Sequence, residues 1–259
     1  MKDRKVILEI VTSAMFIALL AIFSFVPYAG FITIGPISFT TVHIIVLIGA
    51  FLLGWKHGLI LGFFFGLFSF FQALGTAGTV NYLFVNPFIS ILPRAIFGVV
   101  AGLVFDFLRK RMTPSQFLGI SAISAGLLTL FHTFVTLFCL YIFGILDIFK
   151  ISELLGLIEI TDNLKAAGFD NFGLFILGFV SFGCLAEISA ASLIVPLAGG
   201  VILRSFKNSS FTNLGVIKKP NREIELSRAK FILLFVIAGI ILLGFMAGLI
   251  ALYSMGKIA

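Results

Sequence analysis

The stretch VHIIVLIGAFLLGWKHGLILGFFFGLFSFF, residues 42–71, consists of two apolar runs that meet at one basic turn, Gly54-Trp55-Lys56-His57-Gly58. The glycines flanking the turn can adopt φ > 0, so the chain can reverse within a few residues and lay the second run against the first. A membrane crossing takes about 20 apolar residues, and the same pattern continues on both sides of this hairpin. Spans are expected near residues 6–26, 40–54, 57–75, 88–108, 116–143, 172–203 and 229–254, the second of them short. The expected fold is all-α and integral to the membrane. It comprises a six-helix bundle over 1–206, a basic linker over 207–228, and one additional C-terminal transmembrane helix within 229–259.

Composition requires the same solvent. Hydrophobic residues make up 60% of the 259 and charged residues 11%, which leaves too little polar surface to coat a water-soluble globule. Most of the 18 Lys and Arg residues fall in alternate gaps between the apolar runs: Lys2, Arg4 and Lys5, then Lys56, then Arg109-Lys110-Arg111, then the stretch from Arg204 to Lys230. The positive-inside rule puts those gaps, and the N-terminus with them, in the cytoplasm. The net charge of +7 therefore faces anionic inner-leaflet lipids and cytoplasmic partners, not nucleic acid. Cys139 and Cys184 lie inside apolar runs without metal-ligand spacing and read as small core residues. The first run follows a basic start, is long enough to span and lacks a small-residue cleavage site, so it is expected to stay as a signal anchor.

The connections on the opposite side differ in kind. Residues 27–39 and 76–87 carry no formal charge and mix Pro, Gly, Thr, Asn and aromatics. Backbone of that character at this depth must find partners in protein or a wet cavity, so both segments are expected to fold over the bundle. The third connection, 144–171, spaces Ile151, Leu154, Leu155, Leu157 and Ile158 as a short amphipathic helix would. Gly54, Gly58, Gly62 and Gly66 recur every four residues, which predicts close approach of a neighbouring helix; Gly98/Gly102 and Gly244/Gly248 repeat the theme. The 33 Phe residues are scattered over every face and read as lipid-facing bulk. No internal repeat supports a secondary transporter built from inverted halves.

A charged side chain near the bilayer centre costs at least about 2.5–3.5 kcal/mol, which singles out Arg94 and Glu187. Arg94 is expected about two turns from the outer end of the fourth span, and Glu187 about midway down the sixth. Two readings are open. Either the two pair with each other or with helix ends, or Arg94 faces an outward-opening cavity and offers its planar fork to an anionic ligand, since guanidinium matches carboxylate bidentately. Groups with hydrogen-bonding capacity gather in the same outer half: Thr40, Thr41 and His43 in span two, Gln72 in span three, Asn81, Tyr82 and Asn86 in the next connection, His132 and Thr133 in span five. Asp106, beside Arg109 and Lys110, reads as an interfacial ion pair. The chain has no phosphate-binding loop, no His-Glu-x-x-His run and no paired-Asp motif. An enzymatic activity, a resident metal or cofactor, and ATP-driven transport by this chain alone therefore have nothing to stand on.

These residues also carry a resemblance. Gly35-Pro36-Ile37-Ser38-Phe39-Thr40-Thr41-Val42-His43-Ile44, Gly49-Ala50-Phe51-Leu52-Leu53-Gly54, the glycine-spaced third span with Phe68-Ser69-Phe70, and Pro93-Arg94-Ala95-Ile96-Phe97-Gly98 together resemble the substrate-binding S components of energy-coupling factor (ECF) vitamin transporters. The subgroup they look most like is the one assigned to pantothenate. The resemblance covers roughly residues 1–206. It implies six helices in a bacterial plasma membrane, and a vitamin bound at the outer side beneath folded outer loops. Delivery follows by toppling, after docking on a coupling transmembrane subunit and two ATPase subunits. Ala14 and Ala18 fit the Ala-x-x-x-Ala face through which such subunits dock, and Glu187 matches an acidic position of the sixth helix.

On this reading Arg94 holds the carboxylate of a B vitamin, pantothenate being favoured, and Asn81, Asn86 and His132 address its hydroxyls and amide. His43, Gln72, Tyr82, Thr41 and Glu187 complete the candidate site. Two other classes predict differently: a stand-alone secondary carrier would use Glu187 as a proton site, and a non-transport membrane scaffold would merely pair Arg94 with Glu187. The seventh span lies outside the six-helix plan.

Overall fold

The computed structural model describes residues 2–26, 29–34, 37–75, 80–145, 183–206, 209–213, 215–218 and 220. The described residues form a bundle of six main helices: α1 (Lys2–Phe25), α2 (Val42–Leu53), α3 (Trp55–Ala73), α4 (Pro87–Arg111), α5 (Pro114–Leu140) and α6 (Gly183–Ser205). All but α2 are long and apolar enough to cross a membrane. The expected span over 229–254 and the amphipathic helix expected within 144–171 lie outside the described residues, as do Gly244 and Gly248.

Helix ends follow the local sequence. Asn86 caps α4, its Oδ1 accepting the Phe88 N–H at 3.0 Å, and Pro87 takes the first helical position, where a missing N–H costs nothing. Thr113 caps α5 in a capping box: its Oγ1 accepts from the Gln116 N–H at 3.3 Å, and Gln116 Oε1 accepts from the Thr113 N–H at 3.2 Å. Between α2 and α3 stands Gly54 alone, at φ 87°, the conformation the tight turn requires.

The expected glycine seam is where α3 meets α4. A Cβ on Gly58 would lie 2.2 Å from the Gly98 carbonyl oxygen, one on Gly62 2.3 Å from that of Arg94, and one on Gly102 2.2 Å from the Trp55 Cα. The two backbones are in contact, and only the absence of side chains permits it.

Helix α2 decides where a site can form. It has 12 residues, a length of about 18 Å against a hydrocarbon thickness of about 30 Å, and every residue in it except Ile48 is buried. It is the central helix of the bundle and stops short of one face. The depth beyond its N-terminus is covered by two antiparallel strands, β1 (Phe31–Ile34) and β2 (Ile37–Thr40), with Phe31 opposite Thr40 and Ile34 opposite Ile37. The described parts of the 27–39 connection lie at this end of the bundle, with β2 against α6, and the all-α membrane fold stands with, among the described residues, only these two short strands added. Their physical reason is that an uncharged connection in apolar surroundings must bond its own backbone, and a hairpin does so.

At the opposite, basic end the polar groups are tied together. Asp106 accepts from Arg109 Nη1 at 2.5 Å, from Lys218 Nζ at 3.0 and 3.1 Å, and from the Trp55 N–H at 3.1 Å. Arg109 also donates to the Phe51 carbonyl. The ion pair expected at Asp106 therefore forms with Arg109, while Lys110 is exposed. Part of the stretch expected as a linker packs here as well. After one helical turn, α7 (Ser210–Asn213), Val216 and Ile217 are buried in the core, and the Lys218 N–H donates to the Leu52 carbonyl at 3.0 Å. Val216 and Ile217 supply the apolar anchor that the many basic residues around them conceal.

Candidate functional site

Pro93 lies buried inside α4. Lacking an N–H, it leaves the carbonyl of Ile89, four residues back, without its helical donor. Arg94 Nη1 supplies the missing bond at 2.5 Å. The guanidinium is thereby turned back along its own helix, its carbon 4.7 Å from the Phe84 ring centroid and 5.8 Å from that of Phe65, distances at which aromatic faces attract a cation. Arg94 is buried, its Nε has no hydrogen-bond partner, and among the described residues no carboxylate forms an ion pair with it.

Beside it are two histidines. His43, the second residue of α2, and His132 of α5 stack with ring centroids 5.6 Å apart and planes 10° from parallel. Phe97 flanks both, 4.8 Å from His132 and 6.4 Å from His43, and Phe65 lies 5.7 Å from His132. Phe65 thus touches the arginine and a histidine at once. Both histidines are buried, and none of their ring nitrogens has a hydrogen-bond partner among the described residues; the Thr40 backbone lies near the His43 ring without reaching hydrogen-bond geometry. Thr136, one turn from His132, has a buried hydroxyl that is likewise unpartnered.

Leaving a buried polar group unpaired costs about 1–3 kcal/mol, and here several sit together in an aromatic surround. A neutral imidazole offers one donor and one acceptor, so the histidine pair, the arginine and Thr136 present both kinds of group next to a fixed positive charge. A small molecule with a carboxylate plus hydroxyl or amide groups would satisfy such a set.

The other expected residues are placed differently. Thr41 uses its hydroxyl to bond the Ala29 carbonyl at 2.7 Å, and Asn86 Oδ1 is engaged as a helix cap. Gln72 lies in the last turn of α3, half-buried, its carbonyl closing the turn at Gly75. Asn81 and Tyr82 lie on the 3-10 turn Val80–Val85, with Phe84 of the same turn against Arg94. Glu187 and Arg94 do not meet: Glu187 Oε1 accepts the Thr40 N–H. Glu187 is therefore level with the base of the hairpin and the start of α2, because α6 packs along β2 and α2 there. Ala14 and Ala18 are exposed on α1, among Ile10, Met15 and Ile22. Cys139 and Cys184 are buried, and Cys184 Sγ donates to Thr133 Oγ1 at 3.8 Å.

Sequence reasoning missed Phe65, Phe84 and Phe97 as walls, having read the phenylalanines as lipid-facing bulk. It also missed Thr136, whose signal was its four-residue spacing from His132 on one helix face.

The chain matches the family described as "ECF transporter, substrate-specific component" over residues 8–199. It is 27% identical over 200 residues to the "Pantothenate transporter PanT" of Leuconostoc mesenteroides subsp. mesenteroides, spanning 75% of this chain and 91% of that protein. It is 30% identical over 145 residues to the "Pantothenic acid transporter PanT" of Lactococcus lactis subsp. cremoris, spanning 50% of this chain and 70% of that protein. With its apolar helices, the match makes this a multi-pass membrane protein that serves transport and not catalysis. The chain belongs to the family of substrate-specific components of ECF transporters.

Proposed function

We propose that this subunit captures pantothenate at the outer face of a bacterial plasma membrane, with its N-terminus in the cytoplasm. The observation that carries the reading is the cluster of buried, unpartnered polar atoms on Arg94, His43 and His132 beneath the hairpin. Pantothenate has a carboxylate for Arg94, and hydroxyls and an amide that both donate and accept, which suit the imidazoles. The names of the two relatives support the same substrate. Asn81, Gln72 and Tyr82 remain proposed as further ligand contacts. Thr41 and Asn86, whose oxygens already serve the backbone, shape the site more than they touch the ligand.

Uptake then requires partners. The subunit docks on a coupling transmembrane subunit that carries two ATPase subunits, and α1 presents Ala14 and Ala18 for this on its exposed apolar side, where small residues allow close helix approach. Replacing both by Leu should abolish co-purification with the coupling subunit and leave ligand binding intact.

The test of the substrate is thermal stability of the detergent-purified chain against a panel of B vitamins. A ligand at a thousandfold excess over its Kd stabilises the native state by about 4 kcal/mol. A rise in melting temperature with pantothenate is expected. A rise only with another vitamin would move the substrate, and none with any would overturn the reading.

A further inference from the structure

We infer that Glu187 is the fastening point of the hairpin over the site: a positioning residue that acts through the backbone of Thr40 rather than a contact of the ligand. The inference rests on reading the hairpin end as the ligand site.

The start of α2 explains why a carboxylate is needed there. Thr41 occupies the N-cap position with αR backbone angles and makes no capping bond, because its hydroxyl is committed to the Ala29 carbonyl and its N–H to that of Gly30 at 2.8 Å. These two bonds close the base of the hairpin. They also leave the N-terminus of a buried helix, with its partial positive charge, without the oxygen that usually faces it. Glu187 reaches across from α6 and accepts the N–H of Thr40, the residue just before the cap and the last of β2. One charge-assisted bond thus joins three elements: the hairpin, the start of α2 and α6.

Its consequence for the site is geometric. His43 lies three residues beyond Thr40 and stacks on His132 of α5, the helix against which α6 also packs. Fixing Thr40 to α6 holds the cover down and keeps the two imidazoles in register. No cation partners Glu187 among the described residues.

The bond is tested from both ends by Glu187→Leu, which deletes the acceptor, Glu187→Gln, which keeps a neutral one, and Thr40→Pro, which deletes the donor. In the ligand-free purified protein, amide exchange in the hairpin should rise about tenfold or more in Glu187→Leu and far less in Glu187→Gln. Pantothenate should dissociate faster from Glu187→Leu by a similar factor, with association changed less than about threefold, the pattern expected when a cover loosens. Thr40→Pro should reproduce these effects and add little when combined with Glu187→Leu, since both remove one interaction. Unchanged hairpin exchange in Glu187→Leu would overturn the proposal, as would a loss of affinity in Glu187→Gln equal to that in Glu187→Leu, which marks direct contact with the ligand. If Glu187→Leu does not fold, Glu187→Gln and Thr40→Pro decide the same question. If the parent binds no pantothenate, the substrate reading fails while the exchange arm still decides the role of Glu187.

Discussion

Helix α4 carries two buried arginines, and they are treated in opposite ways. Arg109, at the basic end, lies over the Phe117 ring at 5.3 Å, pairs with Asp106 one turn away and donates to the Phe51 carbonyl. Arg94, at the hairpin end, lies over Phe84 at 4.7 Å, gives one nitrogen to a carbonyl that Pro93 has freed, and meets no carboxylate among the described residues. Residue type, helix and burial are shared. The difference is the anion: among the described residues one is supplied to Arg109 and none to Arg94. Removing a buried charge from water without a partner is expensive, and on the proposed function that expense is recovered when an anionic ligand enters. The basic end is a finished structural joint, and the hairpin end is, on the proposed function, an unfinished one that a substrate completes.

That contrast can be broken by substitution. The largest effect is expected at Arg94: Arg94→Met should weaken pantothenate binding about a hundredfold or more by isothermal titration, and Arg94→Lys should recover little, since a point charge replaces a planar fork. Next comes the seam that holds Arg94 in place. A side chain on Gly62 would press on the Arg94 carbonyl, so Gly62→Val should cost about 1–3 kcal/mol of stability and lower affinity as well, which a thermal melt with and without ligand would register together. At the basic end the two properties should separate. Asp106→Asn leaves Arg109 and Lys218 without their anion and should lower stability by about 1–3 kcal/mol, while pantothenate affinity stays within about threefold of the parent.

Much of the frame was legible in the sequence because a membrane forces it. The apolar runs, the Gly54 reversal, the proline-flanked starts of α4 and α5 and the four-residue glycine spacing each have one dominant physical solution, and the structure adopts it. What was not legible depended on bonds between distant segments. Residues 31–40 give no local reason to choose strands over an irregular loop until the depth left open by a 12-residue α2 is known. The partner of Glu187 was not legible because it is a backbone N–H 147 positions away, which no residue type announces. In the candidate site, Arg94 and the histidines stood out as polar groups in apolar runs, but Phe65, Phe84 and Phe97 could not be told from the other phenylalanines. The Pro93-Arg94 device was readable in principle, since a proline always orphans the carbonyl four residues before it and the next residue was an arginine.

On the proposed function the polar atoms at the hairpin end serve a ligand and not the fold, and the histidine pair tests this with the smallest change of shape. The deciding measurement is the melting temperature of purified His43→Phe/His132→Phe, with and without saturating pantothenate, beside the parent. If the imidazoles are held for a ligand, the ligand-free variant melts at or above the parent, because unpaired buried nitrogens have been removed, and most of the pantothenate-induced rise disappears. A ligand-free variant that melts well below the parent while keeping the parent's full rise with pantothenate would contradict the account, since the imidazoles would then belong to the structure and not to the substrate.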